Sequence, residues 1–252
     1  MRCFVVCIVT SFFIIGCHSQ NNRSKALDIS QKDIALKTIY DRFSENKHNY
    51  DVRDTILNSF RSQLLTVLSD ESSRNYSFDQ LSKSIKVLTS KDKKLKLFSW
   101  DEFNGGTWHI YNSYYQYVEE DKVIAGSLVI DDIERSQKPF YYTDIDYFKL
   151  YQPDNDHYLA LGYGTHGQGH EFYTMRLLSL VNGSLQDCKA CFNGEDRLVL
   201  YKSRGTKGII EYDTTSKTIK YPEQIEDKNI SVMKPTGNTI ILNYQEGVFV
   251  EQ

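Results

Sequence analysis

His166, His170 and Glu171 lie in the glycine-rich run Gly162-Tyr-Gly-Thr-His-Gly-Gln-Gly-His-Glu171, with His157 just upstream. These are metal-ligand types. A zinc hydrolase built on two histidines four apart needs both on one helix face, with a glutamate between them as base. Here Gly167-Gln168-Gly169 separates the histidines, which opposes a helix, and Glu171 falls outside the pair. A phosphate cradle needs a helix N-terminus directly after the glycines. The adjoining segment, Phe172-Tyr-Thr-Met-Arg-Leu-Leu178, reads as a strand. The expectation is an adaptable hairpin loop in which His166, His170 and Glu171 contact a ligand, with no bound metal and no cofactor.

Carboxylates recur at Asp131-Asp132, at Asp144 with Asp146, and at Asp154 with Asp156. Glycosidase chemistry needs two such groups about 5 Å or about 6.5–9.5 Å apart across a cleft, which chain spacing does not fix. Asp154-Asn155-Asp156 opens like a calcium loop. Positions 6 and 12 of that loop hold Leu159 and Thr165 where glycine and glutamate belong. No Gly-x-Ser-x-Gly elbow occurs. No catalytic residue is assigned.

The N-terminus carries chemistry of another kind. Arg2 precedes the almost wholly apolar run 3–15, too short to span a bilayer and suited to a signal h-region. The run ends in Ile14-Ile15-Gly16-Cys17, which resembles the lipobox of bacterial lipoproteins. The resemblance implies cleavage after Gly16 and lipidation of Cys17, with several acyl chains anchoring the protein stably. His18, where an Asp would suggest retention in the inner membrane, points to the outer membrane. Of five cysteines, Cys3 and Cys7 then leave with the signal, and Cys188 and Cys191 remain. In an oxidising envelope a local disulfide is the preferred reading of that pair. Buried reduced thiols, a redox pair and half a zinc site are the alternatives.

A further segment, Ser99-Trp100-Asp101 with Gly105-Gly106-Thr107, resembles a motif of uncharacterised bacterial envelope lipoproteins. In these a helical N-terminal part precedes a β domain, and no activity is implied. Read from the residues, Trp100 ends a strand, Asp101 caps the turn after it, and Trp108 begins the next strand. A structural corner outweighs a ligand site here. Trp100, Asp101 and Trp108 are kept as candidate ligand contacts.

The scaffold beneath these groups is set by periodicity. Residues 1–16 form the signal peptide and 17–27 a lipidated tether. Residues 28–83 are helical and 84–252 form an antiparallel β domain. Ser30 with Asp33 suggests a capping box. Leu36, Ile39, Tyr40 and Phe43 then fall on one helix face, and Ile56, Leu57, Phe60, Leu64, Val67 and Leu68 mark a second helix. From residue 84 the period becomes two, with strands near 107–118, 122–131, 140–150, 157–163, 171–181, 196–202, 207–213, 217–221, 238–244 and 247–251. Turn signals such as Asn182-Gly183 and Glu246-Gly247 separate them. The expected fold is α+β, mainly β: a helical hairpin on a sandwich or barrel, with a propeller-like arrangement as the alternative.

Composition narrows the function. The chain has 252 residues, 30 basic against 33 acidic, and a formal net charge of −3, which argues against nucleic-acid binding. It is rich in tyrosine, with 18. Rings at Trp108, Tyr111, Tyr114, Tyr115, Tyr117, Tyr141, Tyr142, Tyr147 and Tyr151 suit either a core or a contact surface, and the core reading is preferred. The expectation is a lipid-anchored envelope module that binds a glycan or protein partner. A carboxylate-dependent glycan hydrolase and a structural lipoprotein are the alternatives.

Overall fold

The structure, a computed structural model, describes residues 16–104, 106–120, 122–128, 144–165, 167, 169–203, 210–227 and 232–251. The signal run 1–15, Gly105, Asp131, Asp132, Tyr141, Tyr142 and His166 lie outside the described residues.

Among the described residues two α-helices form, α1 (Gly16–Glu45) and α2 (Tyr50–Leu68). The expected stripes are their buried faces: Leu36, Tyr40 and Phe43 pack with Ile56, Phe60, Leu64 and Leu68. The start of α1 differs from the expectation. The helix already runs through 17–27, expected as a tether, because Gln, Arg, Lys and Ala propagate a nucleated helix well without an apolar stripe. Ser30 is therefore no cap. Asp33 instead crosses to the chain after α2, where its fully buried carboxylate accepts from Leu81 N (2.9 Å), Gln80 N (3.0 Å) and Tyr76 OH (3.1 Å). It thereby satisfies the start of the 3-10 turn Leu81–Lys83.

Among the described residues three antiparallel sheets come next, in chain order. The first contains β1 (Lys86–Thr89), β2 (Leu95–Asp101), β3 (Tyr111–Glu119) and β4 (Lys122–Ser127). The second contains β5 (Asp146–Tyr151), β6 (His157–Thr165), β7 (His170–Val181), β8 (Ser184–Asp187) and β9 (Arg197–Ser203). Strands β8 and β9 share one edge of β7. The third contains β10 (Glu211–Asp213), β11 (Thr218–Asp227), β12 (Val232–Gln245) and β13 (Val248–Glu251). Among the described residues no sheet closes on itself, so the barrel option is excluded.

The sheets stack as layers, and alternation within single strands shows how. On β2, Phe98 and Trp100 face the helices, while Leu95 and Leu97 join the core shared with the second sheet. On β6, Tyr158 and Ala160 face the first sheet, while Leu159 and Leu161 face the third. A strand covered on both faces reads as a continuous apolar run, which explains Leu159-Ala-Leu161. The order is helices, first sheet, second sheet, third sheet. The outer face of the third carries Glu211, Lys220 and Ile241, and ends the stack in solvent.

The periodicity marks no strand at β8, and β11 and β12 are longer than expected. Pro222, Pro235 and Gly237 suggest breaks, but the ladder absorbs them. Its register shifts between Pro222 and Gln224, and Pro235 then pairs with Gln224. Proline is tolerated beside such irregularities.

Charged groups are also buried within the layers. Lys96 Nζ donates to Arg74 O (2.7 Å), Gln116 Oε1 (3.1 Å) and Ser73 O (3.2 Å). In the second sheet Asp187 accepts from Arg176 (2.6 and 3.0 Å) and from Arg197 (2.7 Å), and Arg176 also reaches Tyr147 OH. Burial pushes the Asp187 carboxyl up, but the two guanidinium charges outweigh it and hold it well below the usual carboxylate range.

Candidate functional site

At one end of the stack, two loops singled out by sequence meet. The loop after β2 is fixed from below. Asp101 accepts from Phe103 N (2.7 Å), and Glu102 N donates to Ile110 O (2.9 Å). The buried Glu102 carboxylate accepts from Arg61 and from Asn112 Nδ2 (2.9 Å). The glycine loop between β6 and β7 is closed by His170 N donating to Gly167 O (2.8 Å). The two are joined where His109 N donates to Thr165 Oγ1 (2.8 Å). A Cβ on Gly167 would stand 3.8 Å from Thr107 Oγ1, so the loops also touch at their tips.

The glycines divide into two jobs. Gly162 and Gly164 belong to β6, not to a loop. A Cβ on Gly162 would meet Ile145 at 2.1 Å, and one on Gly164 would meet Phe172 at 2.2 Å and the Asp144 carbonyl at 2.6 Å. They let the chain at 144–147 lie across β6. Gly167 and Gly169, with φ of +66° and +82°, make the turn itself.

The side chains at this end can bind polar ligands. His109 Nδ1 lies 2.6 Å from Asp101 Oδ2, and its ring stacks on Tyr111 at 5.8 Å and 14°. The carboxylate fixes the ring through Nδ1 and leaves Nε2 free of this contact. Trp108 is 38% exposed, and its Nε1–H donates to Asp144 Oδ2 (3.2 Å). Glu171 pairs with Lys202 (3.1 Å), whose ammonium lies over the Tyr173 ring at 5.0 Å. Asp146 pairs with Lys86. Burial raises its pKa, the Lys86 contact opposes this, and the nearby Asp101 charge adds to the rise. Burial likewise raises the Tyr111 phenol, helped by the charges of Asp101 and Asp146.

Compared with family models, with curated proteins and with solved structures, the chain matches none.

Of the expected contact residues, Asp101, Trp108, His170 and Glu171 stand at this end of the molecule, partly exposed. Trp100 does not. It is 2% exposed and sits edge-on to Phe60 and Tyr114 in the helix–sheet core, because an even position on β2 faces the helices. Several of the expected contact rings are core as well: Tyr111, Tyr115 and Tyr117 of β3 and Tyr147 of β5 are buried. Among the described residues no group of three or more His, Cys, Asp or Glu is placed to hold a metal ion, and no helix is long and apolar enough to cross a membrane. Asp154 serves a turn, accepting from Asp156 N and His157 N, with Tyr244 and the His157 ring around it.

Cys188 and Cys191 are joined by a disulfide, with Cα atoms 5.8 Å apart. The loop they close is a seam between sheets. Cys188 N donates to Leu177 O, Phe249 N donates to Cys191 O, and the Phe192 and Phe249 rings stack at 5.5 Å.

Sequence reasoning missed His109 and Thr165 as site residues. The place directly after Trp108 was the available signal for the first. For the second there was none, since its role depends on a partner 56 residues away.

Proposed function

We propose that the protein is a lipid-anchored component of a bacterial envelope, at the outer membrane, that binds a glycan through the loops joined at His109 and Thr165. The observation that carries this reading is the half-exposed Trp108 ring, its N–H tied to Asp144, beside the His109–Asp101 pair. A sugar offers C–H faces that stack on an indole and hydroxyls that bond to imidazole and carboxylate groups. The buried Tyr111, Tyr115 and Tyr117 of β3 are not available to serve instead. The anchor rests on Cys17 and its apolar lead. The course of α1 is consistent with it. Tyr40 OH donates to Asp101 O, so the ligand end lies at the far end of α1, about 35 Å of helix from Cys17.

The test is tryptophan emission of the whole chain titrated with peptidoglycan fragments and with envelope polysaccharide. Trp100 is sequestered, so a ligand-dependent change reports Trp108. The expected result is a saturable change with at least one glycan, and, measured by calorimetry, binding of that glycan at least tenfold weaker in Trp108→Ala. No response to any envelope glycan would overturn the glycan assignment. A hydrolase is the second reading, favoured by one observation: the raised Asp146 carboxyl close to Asp101. Product release from the bound glycan, abolished in Asp146→Asn, is the outcome that would select it.

A further inference from the structure

At the opposite end of β2 the surface has another character. The β1–β2 turn, the end of β3 and the chain after the 3-10 turn Glu71–Ser73 surround a cleft of about 440 Å³. Arg74, Lys93 and Lys94 line it, together with Asn75, Val118 and Glu120. Lys93 and Lys94 are exposed, and neither is paired with a carboxylate among the described residues. Asp92 also lines the cleft, but its carboxylate is turned to internal work. It accepts from Ser90 Oγ (2.6 Å), Tyr158 OH (2.8 Å), Lys94 N (3.0 Å) and Gln152 Nε2 (3.0 Å). Beneath the cleft the Lys96 ammonium rests on the carbonyls of Ser73 and Arg74, which places a further positive charge under its floor.

We propose that this cleft is a second binding site, for the singly charged phosphodiester of a polyol. The lysines come from the β1–β2 turn and face a cleft whose other wall is the chain at Arg74 and Asn75, and ammonium groups, as compact point charges, suit the oxygens of a tetrahedral anion. The volume exceeds that of a phosphate group alone, and Val118 gives the organic part an apolar wall. Glu120 sets the choice within the class. Its charge opposes a phosphate dianion, and its oxygens accept hydroxyls from a glycerol-like substituent. The same chemistry occurs in a soluble glycerophosphodiester and in the headgroup of phosphatidylglycerol. This site is independent of the Trp108 loops and of the glycan reading.

The experiment uses the full chain with glycerophosphoglycerol in solution, and with vesicles of phosphatidylcholine with and without phosphatidylglycerol. Calorimetry and vesicle flotation give the affinities. Binding of the soluble diester assigns the soluble source. Flotation that depends on phosphatidylglycerol, without binding of the soluble diester, assigns the headgroup. Either supports the site if Lys93→Gln with Lys94→Gln weakens it at least tenfold at an unchanged melting temperature. Glu120→Gln is expected to raise the affinity for inorganic phosphate relative to the diester. Binding of neither probe, or equal binding by the double variant, would overturn the proposal.

Discussion

A single side chain shows how far burial and charge are traded inside this molecule. Lys96 is 5% exposed, and its three partners are neutral oxygens. Burial therefore lowers its pKa from 10.5 to about 8. The geometry explains why the lysine is kept. Gln116 Nε2 bonds to Leu68 O (2.7 Å), so the Lys96–Gln116 pair satisfies carbonyls where α2 and the turn after it would otherwise end unpaired in a core. The depressed pKa fixes the sign of the pH dependence. Between pH 8 and 10.5 the unfolded chain holds a proton that the folded chain has released, so stability rises with pH across that window. The gap from 10.5 to about 8 corresponds to a rise of about 3 kcal/mol. Urea denaturation at pH 7.5 and pH 10 is expected to show Lys96→Met lacking this rise relative to the wild type. Parallel pH curves for the two proteins would mean that the ammonium is solvated.

Within elements, the period of the sequence located strands well and their surroundings poorly. The helix stripes and most strand positions follow from local pattern. Which face of a strand is covered does not, and here both faces of β2 and β6 are covered. That is why Trp100 proved to be core and why the tyrosines of β3 offer no open surface. The candidate site was half legible. Asp101, Trp108, His170 and Glu171 were marked by residue type, whereas the joining of the two loops through His109 and Thr165 needed the register of the sheets. The glycines make this testable on β6 and the turn beyond it. Gly164→Ala would drive a methyl into the Asp144 carbonyl and the Phe172 ring, neither of which has room to yield, at a cost of about 3 kcal/mol. Gly169→Ala meets no atom within 4 Å, but its φ of +82° suits no L side chain, and a loss of about 1 kcal/mol is expected. Thermal melts of the two variants check the order. A milder effect at Gly164 than at Gly169 would contradict the packing of 144–147 over β6.

Across the molecule, the second sheet is the middle of everything: one face meets the first sheet, the other the third. The Cys188–Cys191 loop seams the second sheet to β13, and Cys191 itself is buried there. So short a loop removes little freedom from the unfolded chain. Replacing both cysteines by alanine is expected to lower stability by about 2 kcal/mol. Denaturation should remain one cooperative step with an unchanged slope. A split transition would show that the third sheet undocks on its own once the seam is cut. The layers also have a direction in time. Each sheet is finished by consecutive strands before the next begins, and each lies against a layer already complete. A chain delivered N-terminus first can therefore build like masonry, course upon course, with no strand waiting for an edge still to be supplied. The third sheet is laid last upon a second sheet whose strands are already paired.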